Sequence, residues 1–320
     1  MSKHTKAKHF VPEVNALQQT LTGRVTSAHG RHYGVELSDG SNHLCYPRGK
    51  RSDATVGDYV DVMFEINQAG TLGEEGSLVA VHPRRNTLFR SDENRTKQFA
   101  SNIDLVIIVT AVEPIFSDDL LGRALTGSWA AHIQPLIILN KIDLTQGLTA
   151  ARQRLAPYQT LSVPVIELCA HDAEQVHTLL MPYMQHKTSL LLGQSGMGKS
   201  TLLNAIVPSA QAATQMHSAA LGAGKHTTTA TRLYHLPEEQ GYLVDSPGFQ
   251  AFGLSHLSRQ EIEQGFPEFA PFSSQCRFYN CTHQHEPGCG VLAALARGEI
   301  TASRHALFQR LAESNAAAKI

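Results

Sequence analysis

Ser189-Leu190-Leu191-Leu192-Gly193-Gln194-Ser195-Gly196-Met197-Gly198-Lys199-Ser200-Thr201-Leu202-Leu203-Asn204-Ala205-Ile206 is the stretch that decides how this chain folds. Its centre, Gly193 to Ser200, has the form G-x-x-x-x-G-K-[ST], with a strand-like apolar run before it and a helix-like run after it. Glycines let backbone N–H groups turn inward around phosphates, and a helix N-terminus adds partial positive charge. Lys199 is placed to reach the β- and γ-phosphates, and the Ser200 hydroxyl to ligate Mg2+. Chance matches arise in roughly 1% of chains this long, so the stretch reads as a phosphate loop.

Outward from the loop, residues 89–250 alternate buried-strand runs with helical spacing. The strand runs are Leu105–Thr110, Pro135–Leu139, Pro164–Leu168, Ser189–Leu192 and Tyr242–Val244; the helical stretches are Asp118–His132 and Asp172–Gln185. Such alternation predicts a parallel sheet covered by helices, with ligands at the carboxyl ends of the strands. Asn140-Lys141-Ile142-Asp143 stands at one such strand end and has the form N-K-x-D. A carboxylate at Asp143 can accept from both N1–H and the exocyclic amine of guanine, whereas adenine presents the opposite pattern. Lys141 would lie along the base, and Asn140 would tie this loop to its neighbours.

Asp245-Ser246-Pro247-Gly248 ends another strand and has the form D-x-x-G, the segment that senses a γ-phosphate. Asp245 would hold Mg2+ through water, and the Gly248 N–H would bond the γ-phosphate. Upstream, Gly224-Lys225-His226-Thr227-Thr228-Thr229 has the makings of a switch; one of its threonines, taken as Thr228, would join Ser200 on Mg2+. Phe249 follows the D-x-x-G where many GTPases carry a water-orienting Gln. A phenyl ring cannot orient water, and His226 is the in-chain candidate for that catalytic role.

The order of the motifs is unusual. The guanine motif at 140 precedes the phosphate loop at 193 and the D-x-x-G at 245, whereas it ordinarily comes last. Cutting the sheet between the last two and joining the old termini yields this order, a circular permutation. The γ-phosphate sensor then runs directly into the C-terminal segment and can pull on it.

Residues 21–88 read as short strands between turn signals, such as Tyr33–Leu37, the turn Ser38-Asp39-Gly40, and Tyr59–Phe64 with period two. A small β-barrel of the OB type is predicted. Arg24, Arg31, His32, Arg48, Lys50, Arg51, Arg84 and Arg85 would give it either an RNA-binding face or an ordinary solvated one. Residues 1–20 carry Lys3, Lys6 and Lys8 without apolar periodicity and are expected to form a basic flexible tail.

Residues 251–320 begin with a helical stretch near Ser258–Gly265 and end in two helices, the last at Thr301–Ala318 with Thr301 as its cap. Between them lie Cys276, Cys281 and Cys289, with His283 and His285 as rival fourth ligands. Three thiolates and an imidazole make a closed structural zinc site. Five cysteines, an odd number, do not suggest a disulfide framework.

Lys+Arg is 27 and Asp+Glu 28, a net charge of −1, which excludes a globally basic nucleic-acid binder. No apolar run approaches the ~20 residues of a membrane span, and no apolar segment follows the basic N-terminus as in a secretory signal. A cytoplasmic protein without membrane contact is expected.

With these residues in hand, the chain resembles the circularly permuted, small-subunit-dependent GTPases of the RsgA/YjeQ family over nearly its whole length. The resemblance implies a multidomain α/β protein: an N-terminal OB-fold, a permuted P-loop GTPase domain and a C-terminal α-helical zinc-binding domain. It implies that Gly193–Thr201 binds phosphates, that Asn140, Lys141, Ile142 and Asp143 bind guanine, and that His283 completes the zinc site. His226 resembles the family's proposed catalytic histidine. In the loop that supports the base, Cys169-Ala170 stands where Ser-Ala is common; the Ala170 N–H would reach guanine O6. Implied cofactors are one structural Zn2+ and the Mg2+ that accompanies GTP. Implied partners are GTP/GDP, the 30S subunit and its 16S rRNA, with the chain itself a monomer. The implied function is GTP hydrolysis in late maturation of that subunit, which stimulates it. The other class considered is a nucleotide-gated RNA-binding checkpoint module in which turnover is secondary. A P-loop ATPase or small-molecule kinase is disfavoured by Asn140–Asp143.

Overall fold

The structure, a computed structural model, describes residues 17–30, 32–49, 53–67, 69–92, 95–210, 231–246 and 253–317. The switch segment with His226 and Thr228, and Pro247 to Gln250 with Gly248 and Phe249, lie outside the described residues.

Five strands open the chain: β1 (Gln18–Ala28), β2 (Tyr33–Leu37), β3 (Asn42–Pro47), β4 (Tyr59–Ile66) and β5 (Leu72–Val81). They run in the order β1-β2-β3-β5-β4, and β1 pairs with β4 to close the barrel. The β3–β5 pairing is parallel and the other four are antiparallel. Period-two patterning drives closure: Val60, Val62 and Phe64 of β4 point inward with Val25, Val35 and Cys45, and all six are fully buried. The barrel keeps its own core. Gln18–Thr20, assigned to the tail on sequence, pair with Met63–Glu65 as the first residues of β1.

A hairpin of β6 (Thr87–Asp92) and β7 (Arg95–Ser101) follows, which periodicity does not flag. Then come β8 (Leu105–Ala111), α1 (Asp118–Ala130), β9 (Gln134–Asn140), α2 (Leu148–Thr160), β10 (Val165–Leu168), α3 (Ala173–Met184), β11 (Lys187–Gly193), α4 (Lys199–Ile206), β12 (Arg232–His235) and β13 (Gly241–Asp245). The strand order is β10-β9-β8-β11-β13-β12, parallel except for β12. All seven residues of β8 are buried, as expected of a strand with helices on both faces. Sequence periodicity missed α2, which starts at a left-handed Gly147 and contains Pro157.

The C-terminal part comprises α5 (Arg259–Gln264), α6 (Ala270–Ser273), α7 (Gly290–Ala296) and α8 (Ala302–Ala317). Ser258 and Glu261 form a capping box on α5, and Thr301 Oγ1 accepts from Arg304 N (3.3 Å) at the start of α8. These helices share one core with the α/β sheet. The seam lies along α1. Gly122 faces Leu307, Arg123 donates to Ser314 (2.7 Å), and Arg310 pairs with Asp119 (2.7 Å).

Barrel and α/β sheet are joined edge to edge: Ser27 of β1 pairs with Arg232 of β12, making one sheet of eleven strands. Across this joint Arg24 donates to Thr188 Oγ1 (2.8 Å), and its guanidinium lies over Tyr242 (4.2 Å) and near Tyr59 (5.3 Å). His235 meets Glu36 at 2.8 Å. Arg84 grips the fully buried Asp58 with two 2.7 Å bonds, and Arg85 pairs with Asp104 (2.5 Å). Arg24 and Arg84 are therefore structural ties and not free cations of an RNA-binding face, while Arg85 forms a largely exposed ion pair. Their carboxylate and hydroxyl partners lie far away in sequence, so composition could not separate them from surface charge. Arg31, Lys50 and Arg51 lie outside the described residues, whereas Arg48 is exposed.

Candidate nucleotide site and metal centre

The carboxyl ends of β8, β9 and β11 meet at one edge of the sheet. β11 ends at Gly193, and the loop to α4 turns through Gly196 (φ +82°) and Gly198 (φ +93°). Both conformations are left-handed, which glycine adopts without a Cβ clash.

β9 ends at Asn140, which is 1% exposed. Its Nδ2 donates to Met197 O (2.8 Å), and its Oδ1 accepts from Lys141 N (2.8 Å) and Ala170 N (2.9 Å). One side chain thus joins the phosphate-type loop, the N-K-x-D loop and the Cys169-Ala170 loop. The Ala170 N–H, expected to reach guanine O6, is engaged by Asn140 in this structure. Gln175 Oε1 likewise holds the Cys169 N–H (2.8 Å).

Lys141 has φ +62° and its Nζ donates to Glu113 O and Gly196 O, both at 2.7 Å. Its ammonium therefore bridges β8's loop and the glycine loop. Beside it opens a cleft of about 440 Å³ lined by Glu113, Pro114, Ile115, Lys141 and Leu144. Asp143 is exposed two residues beyond Lys141, and Ile142 packs against the core. The cleft walls from Glu113 to Ile115 were not singled out on sequence. Their position just after β8 was the available signal, since parallel strands present ligands at that end.

Gln194 is a variable position of the motif, yet its Oε1 accepts from Ser117 N (2.7 Å), the N-cap of α1. Met197 is buried, Ser195 and Ser200 are exposed, and Thr201 is half-buried on α4. Asp245 ends β13 opposite Leu191 of β11. Burial pushes its carboxyl above the ordinary range, against the pull of the Lys199 charge and the Ser246 N–H. A buried carboxylate facing a lysine at the phosphate-loop edge suits a divalent cation.

In the C-terminal part, ligand atoms of Cys276, Cys281, His283 and Cys289 all lie within 4.8 Å of one another. His285 is exposed and outside the cluster, so the fold selects between the rival histidines. His283 Nδ1 lies 3.3 Å from Cys289 Sγ and 3.7 Å from Cys276 Sγ, and the two sulfurs are 3.8 Å apart. Glu263 Oε2 stands 3.2 Å from His283 Nε2 and would orient the ring, a role sequence spacing did not reveal. Sγ of Cys276 accepts from Gly290 N (3.3 Å) and that of Cys289 from Leu292 N (3.4 Å), both at the N-terminus of α7. Such donors favour thiolates. The cluster could hold a metal ion.

Residues 81–255 match the family model described as RsgA GTPase. The chain is 62% identical over 297 residues to the small ribosomal subunit biogenesis GTPase RsgA of Bordetella pertussis, covering 93% of this chain and 97% of that one. It is 51% identical over 291 residues to the protein of the same name from Burkholderia pseudomallei, covering 90% of each. Among solved structures it resembles YjeQ from Thermotoga maritima (TM-score 0.70, 29% identity, 93% of this chain and 99% of that one). It also resembles YloQ, described as a circularly permuted GTPase (TM-score 0.67, 27% identity, 93% and 95%).

Proposed function

This chain belongs to the RsgA GTPase family, and from that premise we propose that it hydrolyses GTP in maturation of the small ribosomal subunit, which stimulates it. The observation that carries this is Asn140, which draws together three loops that lie apart in sequence and builds one nucleotide site from permuted motifs. Because the curated relatives are GTPases by name, a checkpoint module with secondary turnover is not favoured.

In this site Gly193–Thr201 cradles the phosphates with Lys199 against the β- and γ-oxygens. Asn140, Lys141, Ile142 and Asp143 form the guanine wall, and the Cys169-Ala170 loop backs it through Asn140. Ser200, Thr228 and Asp245 would hold Mg2+, which neutralises developing phosphate charge when bound. The Gly248 N–H would bond the γ-phosphate, and His226 would orient the attacking water. The D-x-x-G runs straight into the α5–α8 unit, whose core is continuous with the sheet, so a pull on Gly248 acts on that unit.

The Cys276, Cys281, His283, Cys289 set is proposed to hold one structural Zn2+. Zn–S bonds of about 2.3 Å give tetrahedral S···S edges of about 3.8 Å, which matches the 3.8 Å between Cys276 and Cys289. The proposed domain plan is an OB-type barrel from Gln18 to residue 88, with the tail cut back to the residues ahead of Gln18, then the permuted GTPase domain at 89–250 and the zinc domain at 251–320. The barrel is proposed to contact 16S rRNA, with the chain acting as a monomer in the cytoplasm. No helix among the described residues is long and apolar enough to cross a membrane.

The test is GTP turnover of the pure protein alone, with 30S subunits and with 50S subunits. Stimulation by 30S alone is expected; equal rates in all three would overturn the proposal. His226→Ala should keep nucleotide affinity and lose the stimulated rate, and full stimulation of that variant would remove His226 from catalysis.

A further inference from the structure

Between the metal-ligand positions Cys276 and Cys281 the chain exposes four consecutive residues, Arg277, Phe278, Tyr279 and Asn280. Tyr279 is 97% exposed, the most of any large apolar side chain among the described residues, and Phe278 is 42% exposed. Neither aromatic contributes to the core beneath it. The loop is nonetheless held firmly. Both ends carry ligand sulfurs, Arg277 N donates to Gly288 O (3.0 Å), and Cys281 N donates to Phe278 O (3.2 Å). The Arg277 guanidinium lies 5.5 Å from the Phe278 ring centroid.

The charge around the loop is one-sided. No Asp or Glu occurs between Glu268 and Glu286. Glu286 itself is turned inward, accepting from Thr282 N (2.6 Å), Gln284 N (3.0 Å) and His285 N (3.2 Å) as well as from the Thr282 hydroxyl. Glu313 of α8 is engaged by Gln284 (3.3 Å). The tip therefore offers a cation, two aromatic faces and an amide, with no carboxylate of its own. That set suits an unpaired nucleotide: a base stacks on an aromatic face, a guanidinium meets phosphate, and an amide reads a base edge.

We propose that Arg277–Asn280 is a rigid stacking finger that takes an unpaired nucleotide of the small subunit's RNA, with Tyr279 as the platform. This rests on the small-subunit role proposed above. The experiment measures binding of the metal-loaded, full-length protein to 30S subunits with a non-hydrolysable GTP analogue. Tyr279→Ala should weaken binding about tenfold or more, as loss of one stacked base does, while Tyr279→Phe should stay within about twofold. Nucleotide affinity and metal content should be unchanged in both. In parallel, Tyr279 replaced by a photo-reactive phenylalanine analogue should crosslink to RNA. If wild type binds and Tyr279→Ala binds equally well, or the crosslink goes only to ribosomal protein, the finger is overturned and the small-subunit role stands. If wild type itself does not bind 30S subunits, the role fails and the finger with it.

Discussion

The side-chain amide of Asn140 fills the space in which a Cβ on Gly198 would stand. Gly198 has φ +93°, so its backbone already excludes most side chains, and Asn140 is locked by three hydrogen bonds. The two residues belong to different motifs 58 positions apart, and neither can change without disturbing the other.

Gly198→Ala should therefore abolish nucleotide binding more than it disturbs the fold. Left-handed strain on a non-glycine residue costs about 1–3 kcal/mol, and the new methyl would displace the Asn140 amide from Met197 O. Titration with a fluorescent GDP analogue should give an affinity at least about a hundredfold weaker, equivalent to ~2.7 kcal/mol. Wild-type affinity in this variant would show that the loop does not need the Asn140 contact.

Asp143→Asn should lose guanine preference. An amide cannot accept two donors from the base, and an unpaired polar edge costs several orders of magnitude when a site is built to bond it. Competition against labelled GDP checks this. Equal displacement by ATP and GTP in the wild-type protein would refute the assignment.

Asp245→Asn should make the nucleotide-free protein more stable while lowering Mg2+-dependent turnover. Burial raises the Asp245 carboxyl in the folded state, so stability from this group is fully present below the unfolded value and is lost as pH rises through the folded one. The variant's advantage in thermal midpoint should thus be present at pH 7 and shrink as pH falls through the raised folded value towards that of a free carboxyl. An advantage independent of pH would point away from charge burial.

Metal removal should unfold the segment around α5–α7 before the rest. Elemental analysis is expected to give about one zinc per chain, and chelation or Cys289→Ser should release it, since metal binding and local folding are linked. His283→Ala should do the same and His285→Ala should not. Equal metal loss from both variants would contradict the selection of His283.

Arg24→Ala should loosen the barrel from the sheet. It removes a buried charge-assisted bond to Thr188 and the stacking on Tyr242, together about 2–3 kcal/mol. Limited proteolysis should then separate residues 17–81 from the remainder faster than in wild type. An unchanged cleavage rate would mean that the Ser27–Arg232 pairing alone holds the joint.

Sequence by itself determined what short-range chemistry encodes. The phosphate loop, N-K-x-D, D-x-x-G and the three cysteines each carry their function within a few residues, and the largely buried strands β8, β9 and β11 each contain a short apolar run. The motif order was enough to reveal the permutation. Tertiary structure alone decided what depends on a partner remote in sequence. Arg24 and Arg84 look like surface cations until Thr188 and Asp58 close on them. Ala170 looks open to a base until Asn140 takes its N–H. His283 and His285 are equivalent in spacing, and the choice falls to the one that Glu263 and Cys289 face. The edge pairing of Ser27 with Arg232 is likewise invisible locally. A side chain's hydrogen-bonding capacity is written in its identity, but the group that satisfies it is selected by folding, which brings distant donors and acceptors together.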